Sequence, residues 1–91
     1  MKVTCLRQHL NELRINPEAG EKRHAFQVKI TSIDPLSVNA KCLDGCGTNA
    51  EIIGEDAEKM MAGRGHVDGE YTVRGITSTC YDSTVFIYSG A

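Results

Sequence analysis

The sequence predicts a mainly-β fold: a small barrel of five short strands, with one helix between the third and fourth strands and an extra helix at the N-terminus. Three observations predict it. The 91 residues suffice for one domain with a small core, since a chain of this size buries only about 60% of the surface it exposes when unfolded. From Ala25 onward apolar residues recur at every second position, the period of half-buried strands. The one helical stretch in that region follows the third strand, where a small apolar face can plug an open barrel end. Closing the sheet removes the edges that five short strands would otherwise expose.

The elements follow in chain order. Leu6, His9, Leu10 and Leu13 are spaced by three and four and share one helical face. Thr4 precedes them as the expected N-cap, and Asn16-Pro17 ends the helix because proline disfavours helical geometry in the residue before it. Residues 17–24 read as a polar connector, which makes 1–24 a helix with its linker and 25–91 the barrel. Phe26, Val28 and Ile30 alternate with Gln27, Lys29 and Thr31 in the first strand. Asp34-Pro35 is a turn. The second strand runs over 36–43, with Val38, Ala40 and Cys42 inward and Ser37, Asn39 and Lys41 outward. Asp44-Gly45 and Gly47 supply the positive φ angles of a hairpin, and a third strand covers about 49–53. Glu55, Asp56 and Glu58 suit the positive N-terminal end of a helix over 55–62; Ala57, Met60 and Met61 are its apolar face, and Gly63 stops it. Strands over 70–78 and 84–89 close the chain. A ferredoxin-like sandwich is excluded because Asp34-Pro35 leaves no room for a helix between the first two strands.

Composition narrows the function. Ten basic against twelve acidic residues give a formal charge of −2, which argues against a strongly basic nucleic-acid binder but leaves room for a local basic stripe. No apolar run reaches the roughly 18–20 residues of a membrane span. The first residues lack a signal-peptide pattern, so the expectation is a cytoplasmic or nuclear protein, not a secreted one, with its four cysteines reduced.

Five strands with a helix between the third and fourth is the element order of an OB-fold. The stretches Phe26-Gln27-Val28-Lys29-Ile30, 52–61 (Ile-Ile-Gly-Glu-Asp-Ala-Glu-Lys-Met-Met), Tyr71-Thr72-Val73-Arg74-Gly75 and Val85-Phe86-Ile87 resemble a replication protein A-type OB-fold over about residues 25–90. That resemblance implies binding of single-stranded DNA in a replication or repair assembly, or service as a structural or protein-binding subunit. The larger modules of that family carry a four-cysteine zinc ribbon between their first two strands; the two-residue turn here has no place for one.

An OB-fold binds single strands across its second and third strands and the loops joining strands one to two and four to five, using rings that stack bases and cations that track phosphates. The expected contacts are therefore Tyr81, the one ring in the fourth-to-fifth loop, Lys41 and Asn39 on the outer face of the second strand, and Lys29 and Arg74 at outward positions of theirs. Cys42 and Cys46 form the weak candidate for a zinc site, two ligands where zinc takes four; the further donors on offer, Cys80, His66, Cys5 and His9, form no second pair. No cofactor is expected. His9, His24 and His66 sit in separate segments without a paired carboxylate or nucleophile, and Gly63-Arg64-Gly65 lacks the context of a phosphate loop, so catalysis is not expected. The alternative is a protein–protein interaction module, with Leu6, Leu10 and Leu13 docking on a partner as an i, i+4, i+7 set.

Overall fold

The computed structural model describes residues 5–34, 37–43, 47–64, 66–79 and 84–89. Its elements are α1 (Leu6–Ile15), a 3-10 turn (Pro17–Glu21), β1 (His24–Ile33), β2 (Val38–Cys42), β3 (Asn49–Gly54), α2 (Glu55–Lys59) running into a wider π turn (Met60–Arg64), β4 (Glu70–Thr79) and β5 (Thr84–Ser89). The strands form a closed barrel in the order β1-β2-β3-β5-β4. Every neighbouring pair is antiparallel except β3 and β5, which run parallel. This five-stranded mixed barrel, with a helix between β3 and β4, is consistent with an OB-fold.

Alternation puts the apolar residues inside. Phe26, Val28 and Ile30 of β1, Val38 and Ala40 of β2, Ala50 and Ile52 of β3, Val73 of β4, and Val85 and Ile87 of β5 are all buried in one cluster. The first strand is long because it serves two neighbours: residues 24–29 pair with β4 and residues 28–33 with β2. A bulge between Ile30 and Ser32 adds the twist that bends one strand around the barrel. Asp34 and Ser37 close the first hairpin with reciprocal backbone hydrogen bonds of 2.8 and 3.3 Å, and Gly47, at φ 74°, supports the second.

The helices close the two ends. Ala57 and Met60 are buried under one end, as the spacing predicts, but Met61 turns outward and is 36% exposed. The helical winding of α2 is also shorter than expected, because after Lys59 the chain widens into the π turn and Gly63 leaves it at φ 96°. At the other end α1 packs on β4 and β5. Leu6, Leu10 and Leu13 are each at most 5% exposed and belong to the barrel's own core. Their apolar face is therefore consumed within the chain, and α1 is not a free docking helix. The N-cap position is Cys5, which makes no side-chain capping bond; Thr4 lies outside the described residues.

The stretch read as a polar connector is structured. Asn16 Oδ1 accepts from the Glu18 amide at 3.3 Å and so caps the 3-10 turn, whose Ala19 and Gly20 are buried. Pro17 suits the first position of that turn, where no amide hydrogen is needed. Among the described residues no helix is long and apolar enough to cross a membrane.

Candidate nucleic-acid interface

The barrel register brings two of the expected contacts face to face. Glu70, Lys29, Lys41, Asn49 and Thr84 stand in one row across β4, β1, β2, β3 and β5. Lys29 and Lys41 are direct cross-strand partners, and both are exposed. Such partners have Cβ atoms about 4.5–5.5 Å apart, and like charges placed so are destabilising. Among the described residues neither lysine has an ion-pair partner. The sole acid in their row is Glu70, on the far side of Lys29. Two opposed, exposed ammonium groups concentrate positive charge locally on a chain of net negative charge.

The other expected contacts are placed differently. Asn39 shares the outer face with Lys41 but is engaged locally, its Nδ2 donating to Ser32 Oγ at 3.2 Å and Ser37 Oγ at 3.3 Å. It braces the first hairpin, and Glu51 faces it across β3. Arg74 is exposed but pairs with Ala25. It lies four residues along β4 from Glu70, about 13 Å from the lysine row, so the structure does not bring it to the lysines. Tyr81 lies outside the described residues, as do Cys46 and Cys80. Cys42 is half-buried, and among the described residues no three His, Cys, Asp or Glu side chains are grouped as a metal would need.

Two further rings belong to this outer wall. Val85 and Ile87 point inward, so Phe86 and Tyr88 point out. Phe86 stands between Glu51 of β3 and Ser78 of β4, and Tyr88 between Ile53 and Ile76. Tyr88 is 44% exposed and Ile76 43%. Phe86 stands two strands and one side-chain row from Lys41, across β3. Period-two alternation in 84–89 was the signal that could have found these rings. Tyr71, by contrast, packs against the core, and its hydroxyl accepts from the His66 amide at 3.0 Å.

Two of the three histidines meet. His9, fully buried, lies 4.5 Å from the His24 ring and 5.3 Å from that of Phe26. Its Nε2 is hydrogen-bonded to Thr77 Oγ1, while among the described residues its Nδ1 is buried without a partner. Burial holds the His9 pKa below its ordinary 6.5; the nearby His24 lowers it further, and Glu12 opposes both. The doubly protonated ring would carry a buried Nδ1–H for which no acceptor stands among the described residues. The native state therefore binds this proton less readily than the unfolded chain, so stability is full above about pH 6.5 and is lost as pH falls below it. The melting temperature is expected to drop between pH 7 and 5, and His9→Leu to flatten that part of the profile. An unchanged slope in the variant would assign the acid sensitivity to other groups.

Comparison with known proteins finds no family model, no characterised protein and no solved structure that matches this chain.

Proposed function

We propose that this protein is a non-enzymatic binder of single-stranded nucleic acid, with phosphates seated on Lys29 and Lys41 and bases stacked on rings of the outer wall. The observation that carries the reading is the opposed lysine pair. It costs the free protein stability, and an anionic strand converts that cost into affinity. The exposed ring of Tyr88 and the outward Phe86 support it, since base–ring stacking is indifferent to sequence. The resemblance of residues 25–90 to replication protein A-type OB-folds supports it too, and favours a role in a replication or repair assembly. Tyr81, between β4 and β5 in sequence, remains the ring expected from the binding surface of an OB-fold.

The test uses Lys29→Gln/Lys41→Gln and fluorescence anisotropy with a labelled single strand. Losing two phosphate contacts should weaken binding to every sequence alike and reduce the salt slope by about 1.4, at about 0.7 per phosphate on a single strand. The same variant should unfold at a slightly higher denaturant concentration, because the repulsion is relieved. Unchanged affinity would remove the lysine pair from the interface. A second reading, a protein-interaction module, is favoured by an apolar strip across β4, β5 and β3 in which Ile76 and Tyr88 are exposed and Ile53 is half-buried.

A further inference from the structure

The lysine row does not end at the barrel. Its next residue, Asn49, also lines a cavity of about 320 Å³ between α1 and the start of β3, together with Arg7, Asn11, Arg14 and Thr48. Positions 7, 11 and 14 are spaced by four and three, which stacks them on one face of the helix. Arg7 and Arg14 are about 10.5 Å apart along the axis, with the Asn11 amide between them. Leu6, His9, Leu10 and Leu13 anchor the adjoining face of α1 in the core, with Leu10 also lining the cavity, so the polar face is held in place over the strand ends. Among the described residues no acidic side chain lines the cavity. Two guanidinium groups, two carboxamides and a hydroxyl around one open cavity form a donor-rich set, and guanidinium forks match the oxygens of a phosphate.

We propose that this groove is a phosphate site, and that α1 extends the single-strand path from Lys29 and Lys41 off the barrel wall. The extension rests on the single-strand reading; the phosphate site itself does not. The chemistry fits either a phosphate within a strand or a free phosphate, and the experiment separates the two. The protein is titrated with inorganic phosphate while the side-chain amide resonances of Asn11 and Asn49 are followed by NMR. They should shift in the wild type and stay still in Arg7→Gln/Arg14→Gln, whose exposed positions leave the fold intact. Absence of a shift in the wild type overturns the site.

Anisotropy with a labelled oligonucleotide then tests the path. Arg7→Gln/Arg14→Gln should bind several-fold more weakly, with a salt slope smaller by about 0.7, the loss of one phosphate contact. If that variant binds like the wild type while Lys29→Gln/Lys41→Gln does not, the path over α1 is wrong and the barrel reading stands. If the wild type binds no oligonucleotide but the amides respond to phosphate, the barrel reading fails and the groove is a site for free phosphate.

Discussion

Phe26→Ala is expected to cost about 3–5 kcal/mol, the range for deleting a fully buried ring. Phe26 is fully buried and heads the largest buried side chains. It faces Val73 across β1 and β4, and its ring lies 5.3 Å from His9 of α1, so one side chain joins the barrel interior to the helix that closes it. A chain of this length has about 5–14 kcal/mol of total stability. The substitution therefore removes between about a fifth and all of it. Urea unfolding measures the loss directly. A cost under about 1 kcal/mol would mean that the ring does not fill the interior.

Gly75→Ala should be comparably severe for a different reason. Gly75 faces Ser89 where β4 pairs with β5, and a Cβ there would run into the backbone carbonyl of Tyr88. A flexible side chain can swing away from such an overlap, but a carbonyl in a closed barrel cannot move without opening the β4–β5 ladder. Glycine within a strand marks such close backbone approach. The cost should exceed the roughly 1–3 kcal/mol of ordinary over-packing. Calorimetry should show either a large fall in melting temperature or no cooperative transition. A variant as stable as the wild type would show that the two strands are not this close at residue 75.

The barrel was legible because its signals are local and repeated. Alternation in 26–30, 38–42 and 84–89 states which side chains go inward, and Asp34-Pro35 and Gly47 state where the chain turns back. What the sequence could not show is what the register brings together. Lys29 and Lys41 each read as a separate outward-facing contact; that they stand directly opposite each other follows only from the pairing of β1 with β2. Arg74 read just as well, and the register put it elsewhere. Likewise the face shared by His9 and the three leucines was visible at helical spacing, but not that the barrel itself would cover it. The 3-10 turn within the polar connector was not legible, because the burial of Ala19 and Gly20 depends on meeting the end of β4, where a Cβ on Gly20 would strike the Thr77 carbonyl. No local pattern encodes a contact so distant in sequence.

The central claim is that the lysine row on the barrel wall holds a single strand. The most direct test is fluorescence anisotropy of the unmodified protein with a labelled oligonucleotide of about 15–20 nucleotides, long enough to span an OB-fold site, at low and at moderate salt. The account predicts binding at low salt that weakens as salt rises, with a logarithmic slope near −2, as two or three phosphate contacts on a single strand give. No binding at low salt would contradict it, as would affinity that salt leaves unchanged, and either result would move the Ile53–Tyr88–Ile76 strip and a protein partner to the front.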